Sequence, residues 1–432
     1  MPASHKAFSL APNQIALIRD GLAAIAGLFP FACILDSCGL ENTVFTFDNQ
    51  NISILAGFGG TKNSAGRQIL TENPESWAGK WHFGNLNYEL KDKIEPGLSS
   101  AKMNPHGFPD DFFFEAEEVY KVTDQAIEIY SFNGASPEML LDRLLHSSLP
   151  PYSIHHLQHF EFHQSRYLEK AAELHNHILR GDIYEVNYCI PFTGKATIHH
   201  LPSLWRKLNE FSPAPFSALY KHQDNWLLCA SPERFLKKSG NRLYSQPIKG
   251  TARRGNNSKE DELISKALLA SEKERAENIM ITDLVRNDLS RIANRGTVEV
   301  NELCGLYSYR HVFQMISTIS AEIKQGVNIS DIIRALFPMG SMTGAPKYRA
   351  MQLIEKAEDF RRGIFSGSIG YISPEGNFDF NVVIRSIIYN TTNKELLIPA
   401  GSALTAIANH EAEYDECVLK ASALLRLIHS EA

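Results

Sequence analysis

The 432-residue chain has no Cys-x-x-Cys pair, no low-complexity segment, no repeat of fixed period and no apolar run long enough to cross a bilayer. Its six cysteines, Cys33, Cys38, Cys189, Cys229, Cys304 and Cys417, are dispersed. Dispersal excludes a disulfide-stapled scaffold and points to a reducing, cytoplasmic setting. The apolar stretch from Gly21 to Leu35 is shorter than the roughly 20 residues a membrane helix needs, and Gly27 and Pro30 interrupt it. Arg19 and Asp20 precede it and no clear small-residue cleavage site follows, so it reads as a helix and then a buried strand rather than as a signal peptide. Basic charge is also scarce. The chain has 43 Lys and Arg against 49 Asp and Glu, a net charge of −6, and the pairs Lys237-Lys238, Arg253-Arg254 and Arg361-Arg362 form no stripe that could track a phosphate backbone. Neither nucleic acid nor membrane is expected as a partner.

With 44% hydrophobic and 21% charged residues the chain is ordinary folded protein. Alternation predicts a hairpin over Phe45 to Phe58 and strands near Phe112 to Phe114 and Ala126 to Phe132. Between Gly134 and Phe160 the pattern breaks around Pro137 and Pro150-Pro151, which divides the chain into a lobe over 1–150 and a second unit over 160–430. Ser165 opens an i, i+3, i+4 helical pattern that Gly181 closes. Further strands are expected at Tyr184 to Phe192, Trp226 to Cys229, Gly363 to Ile372, Phe380 to Tyr389 and Leu396 to Ala400. Further helices are expected at Glu272 to Ala293, Ser330 to Leu336, Ala345 to Glu358 and Glu411 to Ile428. The class is α+β.

Two of these helices carry carboxylates at i, i+3 spacing, Glu274 with Glu277 and Glu413 with Glu416, so each pair shares one face. Were the faces to meet, four negative charges in a partly dry place would call for a divalent cation, and oxygen-only ligands suit Mg²⁺. Either pair alone is equally a helix surface, since Ser271-x-x-Glu274 fits a capping box and acids favour a first turn. Gly340 to Lys347 looks like a phosphate loop but departs from one at Ala345-Pro346 and Tyr348, leaving a helix start or a small-anion site. His155, His156, His159 and His163 lack the partners, apart from Glu161, that would complete a zinc set. Lys249 lies between Ile248 and Gly250, where desolvation lowers an amine's pKa and frees it as a nucleophile; a snorkelling lysine fits the same context.

In order along the chain, Ala230-Ser-Pro-Glu-Arg-Phe235, Pro247-Ile-Lys-Gly-Thr-Ala-Arg-Arg-Gly255, Glu274-Arg-Ala-Glu277, Asp283 to Arg291, Gly340 to Lys347, Arg361 to Tyr371, Ile384-Arg385, Ala400-Gly-Ser402 and Glu413-Tyr-Asp-Glu416 resemble the chorismate-utilising family that holds the anthranilate, aminodeoxychorismate, isochorismate and salicylate synthases. The resemblance spans about Ser165 to Ile428, and Ala11 to Phe132 looks like the family's variable N-terminal region. It implies an anthranilate synthase component I-like two-lobed β-sandwich with surrounding helices. It also implies that the acid pairs meet, with Glu277 and Glu416 on Mg²⁺ and Glu274 and Glu413 acting directly or through water. Arg385 would grip a substrate carboxylate, helped by the amides of Gly401 and Ser402 and the side chain of Lys420. Thr343, Gln314 and Tyr371 complete the implied substrate contacts, with Gln314 standing where many relatives place His. Relatives bind tryptophan near a segment similar to Leu35-Asp-Ser37, which here is equally a strand end and turn.

Lysine at 249, where the anthranilate and isochorismate makers carry Ala, is the mark of the aminodeoxychorismate branch. Glu185 stands where water-activating members carry Lys, which disfavours hydration. The implied chemistry is addition of a neutral Lys249 amine to C2 of chorismate with Glu233 protonating the leaving C4 oxygen, then attack of ammonia at C4. No Gly-x-Cys-x-Gly surrounds any cysteine, so ammonia is expected from solution or a separate glutamine amidotransferase subunit. No lyase domain follows, so another protein is expected to release pyruvate and make 4-aminobenzoate. Anthranilate formation and a non-catalytic, regulatory binding role are the competing expectations.

Overall fold

The computed structural model describes residues 4–40, 52–61, 65–104, 106–158, 163–310 and 312–429. Two antiparallel sheets dominate it. The larger has eleven strands, running in space from Ser4–Ser9 through Ala126–Ser131, Glu118–Thr123, Ile52–Gly59, Phe31–Asp36, Phe216–His222, Asn225–Ser231, Ser386–Asn390, Glu395–Leu404 and Glu185–Lys195 to the short Gly344–Ala345. The smaller has nine. They run from Ile248–Arg253 through Val312–Glu322, Arg242–Gln246, Arg234–Ser239, Phe378–Asn381, Ser368–Ile372 and His82–Leu86 to Asp111–Glu115, with Glu299–Ser308 also pairing with Val312–Glu322. Both sheets take strands from before and after residue 150. The irregular stretch that suggested a lobe boundary is a connection between the helix Pro137–His146 and the strand Ser153–His155. Half of the expected hairpin over Phe45 to Phe58 lies outside the described residues; the strand begins at Ile52.

The strand Phe31–Asp36 shows how the sequence builds these layers. Successive side chains point to opposite faces, so Phe31, Cys33 and Leu35 join the core between the sheets while Ala32 and Ile34 join the core under the helices. Because both faces are covered, the strand is apolar without alternation. Helices Pro12–Ile25, Gln164–Leu179, Leu201–Phe211, Lys347–Ala357 and His410–His429 pack on the outer face of the larger sheet through Leu22, Leu174, Trp205, Leu353 and Leu424. Among the described residues no helix is long and apolar enough to cross a membrane. Leu35 and Asp36 do end a strand. The Arg19 guanidinium donates to Asp36 at 2.7 Å, and a cavity between the sheets is lined by both residues with Phe216, Ser217 and Asn381.

One buried cation ties three segments together. The Arg362 guanidinium donates to Glu358 at 2.8 and 2.5 Å, to the Met342 carbonyl at 2.7 Å and to the Asn187 carbonyl at 2.9 Å, and it lies 4.5 Å from the centre of the Tyr88 ring. Glu358 also accepts from the Cys189 amide at 2.9 Å. Every polar atom of this pair needs its partner, because an unmatched buried charge is far costlier than a matched one. Glu358→Ala is therefore expected to lower unfolding free energy by about 3–5 kcal/mol, checked by urea denaturation. A loss under about 1 kcal/mol, the size of an exposed pair, would show that the hub is not structural.

Candidate active site

The chain passes from one sheet to the other at two adjacent places. Glu233 stands between Asn225–Ser231 of the larger sheet and Arg234–Ser239 of the smaller, and Arg385 lies between Phe378–Asn381 of the smaller and Ser386–Asn390 of the larger. The Val382 amide donates to the Glu233 carbonyl and the Ala230 amide to the Arg385 carbonyl, each at 3.0 Å. Phe380 to Tyr389, expected as one strand, is broken because its two halves serve different sheets. Arg385 takes a φ of +53°, a conformation that costs energy for a non-glycine residue and clusters at functional sites. Its guanidinium has no hydrogen bond or ion pair with a described residue. Burial depresses its pKa, opposed by the charge of Glu416.

Glu233 is buried and accepts from the Ser341 hydroxyl at 2.6 Å. Desolvation pushes its pKa up to about 7, although Ser341 and the charge of Lys249 work against the rise. A carboxyl group so placed can keep a proton at neutral pH and deliver it. Ser341 belongs to the loop that looked like a phosphate site. The lysine of that loop, Lys347, instead bonds the buried Asp288 and donates to the Leu336 carbonyl at 3.0 Å, so its role is structural.

Lys249 lies on Ile248–Arg253, at the rim of the smaller sheet. Asn278 of the helix Glu272–Ser290 donates from Nδ2 to the Lys249 carbonyl at 3.2 Å and to the Met315 carbonyl at 3.1 Å, fixing that strand against the helix. The side chain is mostly buried, and its Nζ donates to Glu185 Oε1 at 2.8 Å. Desolvation disfavours the ammonium, as the sequence suggests. Glu185 and Glu277 outweigh it, however, and the pKa is raised rather than lowered. The expectation of a neutral resting amine is thus corrected: neighbouring carboxylates keep Lys249 charged.

The two acid pairs do face each other. Lys273 lies between them, its Nζ 3.0 Å from Glu413 and 3.9 Å from Glu277. Glu413 also accepts from the Ser402 hydroxyl. Lys420 donates to the Gly401 carbonyl at 2.9 Å and pairs with Glu416 at 2.7 Å, so Ser402 and Lys420 adjoin the acids directly and Gly401 through Lys420. Burial raises Glu277 to about 7 and also raises Glu274, with the nearby acids adding to both shifts. Burial opposes ionisation of Glu416 as well, yet Lys420 holds it below the ordinary value. Glu277 Oε1 is buried without a hydrogen-bond partner. The capping reading holds in half: the Ser271 hydroxyl accepts from the Glu274 amide.

Gln314, on Val312–Glu322 opposite Thr251, is buried with its side-chain oxygen unpartnered. Thr343 is fully buried, and its hydroxyl oxygen lies 3.2 Å from the Met339 and Gly340 carbonyls, both within its own loop. Tyr371 is placed elsewhere, a correction to the expected contact set. Its ring packs in the core between the sheets, 5.8 Å from Trp81 and 6.3 Å from Phe83, because strand alternation turns it inward. His159 and Glu161 lie outside the described residues. Among the described residues no three His, Cys, Asp or Glu side chains are grouped to hold a metal ion, the four glutamates included. Their fit to Mg²⁺ is one of donor chemistry, oxygen-only with one open buried atom, rather than of spacing.

Acids and three lysines gathered beside an unpaired arginine, where the chain crosses between two antiparallel sheets, are the makings of an enzyme site. The chain belongs to the chorismate binding enzyme family, whose model matches residues 46–426. It is 30% identical over 429 residues to aminodeoxychorismate synthase component 1 of Bacillus subtilis, covering 95% of this chain and 90% of that one. To the chloroplastic aminodeoxychorismate synthase of Arabidopsis thaliana it is 36% identical over 369 residues, 79% of this chain but 39% of the relative. Its fold is that of anthranilate synthase component I from Streptococcus pneumoniae, with a TM-score of 0.69 at 21% identity over 99% of this chain and 93% of that one.

Sequence reasoning missed Ser341, Lys273 and Asn278. Lys273 directly precedes Glu274, and Asn278 follows Glu277, so only their neighbours signalled them. The raised Glu233 pKa has a consequence for stability. Because the folded value, about 7, exceeds the ordinary 4.5, the folded state binds the extra proton between those pH values, and this group's contribution to stability falls as pH rises through them. Glu233→Gln should flatten that decline in urea melts across the same range; an unchanged slope would show the carboxyl is not protonated as described.

Proposed function

We propose that this chain catalyses the Mg²⁺-dependent amination of chorismate to 4-amino-4-deoxychorismate, the precursor of 4-aminobenzoate and folate, through a covalent Lys249 adduct at C2. The observation that carries this reading is the placement of a buried primary amine, Lys249, within electrostatic reach of a buried carboxyl group, Glu233, whose pKa burial pushes up to about 7. One group can attack the ring while the other protonates the leaving oxygen. Kinship to an aminodeoxychorismate synthase component along nearly the whole chain supports the choice of product.

Arg385 presents its open guanidinium to a substrate carboxylate, a charge-assisted contact that orients the ring before reaction. The amides of Gly401 and Ser402 and the Lys420 ammonium would hold the same end of the molecule. Glu277 and Glu416, with Glu274 and Glu413 directly or through water, would hold Mg²⁺, which supplies charge neutralisation for the substrate's second carboxylate. The unpartnered Gln314 oxygen offers an acceptor near the reacting strand. Ammonia reaches C4 from solution or from a separate glutamine amidotransferase subunit, as the name component 1 borne by the Bacillus subtilis relative suits. The six unpaired cysteines fit work in the cytoplasm.

The test is direct: chain, chorismate, Mg²⁺ and ammonium salt, with the products separated and identified. The expected product is 4-amino-4-deoxychorismate, and anthranilate with pyruvate would replace this reading by its sister. Lys249→Ala is expected to abolish the ring adduct seen by intact-protein mass and to lower amination by at least about hundredfold. The same 4-amino product at an unchanged rate from that variant would remove the nucleophile.

A further inference from the structure

Glu185 opens the strand Glu185–Lys195, 64 residues before Lys249, and belongs to the other sheet. It is among the most buried acids in the protein, at 1% exposure. One oxygen accepts from Lys249 Nζ at 2.8 Å, and the other, Oε2, is buried with no hydrogen-bond partner. Its backbone is clamped by Gly344, which pairs with the adjoining Val186, takes a φ of +151° and approaches so closely that a Cβ there would lie 2.2 Å from the Glu185 carbonyl oxygen. The Lys249 carbonyl is held from the opposite side by Asn278. Neither partner of the contact is free to drift.

Four other carboxylates face Lys249: Glu277 and Glu274 from the helix Glu272–Ser290, Glu233 from the crossing and Glu416 from the last helix. Glu233 is engaged by Ser341, Glu416 by Lys420, and Glu277 has Lys273 as its nearest ion partner. Among the described residues only Glu185 forms a hydrogen bond with the amine. An ammonium has no lone pair, so a lysine held in that form attacks nothing until a base relieves it.

We propose that Glu185 takes the Lys249 proton as the amine adds to the ring and stores it for the lifetime of the adduct. This deepens the amination reading above and rests on it. In the forward step the proton moves from Nζ to the Glu185 carboxylate, and the freed electron pair forms the bond from nitrogen to C2. The double bonds C1–C2 and C5–C6 shift to C6–C1 and C4–C5, and the C4–O bond breaks with its electrons on oxygen. That oxygen takes the Glu233 proton and leaves as water. The adduct nitrogen remains a positively charged secondary ammonium, which makes it a competent leaving group. In the return step ammonia bonds to C4, the double bonds revert, and the C2–N electrons go back to Nζ, which recovers its proton from Glu185. The surplus ammonia proton passes to Glu233, restoring the starting state.

The experiment mixes enzyme with chorismate and Mg²⁺ in the absence of ammonia, quenches with acid, and follows the adduct by intact-protein mass across about pH 6.5 to about 9.5, spanning the raised Glu233 value and approaching the ordinary lysine value. At about pH 7.5, Glu185→Gln should form adduct roughly hundredfold more slowly than the wild type, with chorismate affinity changed less than about threefold. The deficit should shrink as pH rises, because solvent then removes the lysine proton, and Glu185→Asp should recover part of the rate. Should the Gln variant fail to fold, the Asp variant carries the same pH comparison. Wild-type adduct kinetics in Glu185→Gln, or a deficit equal at every pH, would overturn the proposal while leaving Lys249 as nucleophile. Absence of adduct from the wild type itself would end both readings.

Discussion

Six carboxylates, from Glu185, Glu233, Glu274, Glu277, Glu413 and Glu416, are gathered at one end of the β-sandwich, where loss of water opposes ionisation of Glu233, Glu274, Glu277 and Glu416. The fold answers in two ways. It places Lys249, Lys273 and Lys420 among the acids, and it leaves Glu233, which has no ion pair within reach, close to neutral. Surroundings alone set these carboxyls apart: burial pushes Glu233 and Glu277 up, whereas Lys420 holds Glu416 down. Lys249 shows the same balance from the other side. Burial pulls against the charges of Glu185, Glu277 and Glu233, and the charges prevail.

That balance requires the two sheets and the acid-bearing helices to be held at fixed separation. The Arg362–Glu358 pair does this from beneath, binding the loop at Met342, the strand at Asn187 and Cys189, and the Tyr88 ring. The same loop carries Ser341 to Glu233 and sets Gly344 against Glu185. A single loop therefore positions both Glu233 and Glu185, the carboxylate that accepts from Lys249. The left-handed Arg385 adds a second constraint at a crossing tied by backbone hydrogen bonds to that of Glu233.

How much of this was legible follows from the range of each interaction. Helix periodicity placed Glu274 with Glu277 and Glu413 with Glu416 on shared faces, and the strand and helix positions around Gln164–Leu179, Asn225–Ser231 and Glu272–Ser290 were readable from local pattern. Contacts across the chain were not. Lys273 meets Glu413 over 140 residues and Lys249 meets Glu185 over 64, distances at which spacing carries no information. Glu185 was legible as a departure from lysine, yet not as the partner of Lys249, and this reversed the expected direction of the lysine's pKa. Tyr371 and Thr343 stand in motifs that resemble binding segments, but alternation and a tight loop turn them to packing and local hydrogen bonds.

Charge arithmetic at the site bears on the cation proposed above. With Glu233 and Glu277 each raised to about 7, and so about half ionised at neutral pH, the six acids carry about five negative charges against three lysines and Arg385, leaving the site close to one negative charge in excess. A dianionic substrate would raise that excess to about three in a place where burial already pushes Glu274 and Glu277 toward protonation. Unit charges about 4 Å apart repel by about 4 kcal/mol per pair at an intermediate dielectric. Either the acids take up protons as substrate binds, or a cation enters with it. The first route would consume the charge that keeps Lys249 an ammonium and disturb the lysine as well. The second leaves the Glu185–Lys249 pair intact until the ring arrives, which is the order that the proposed adduct chemistry needs.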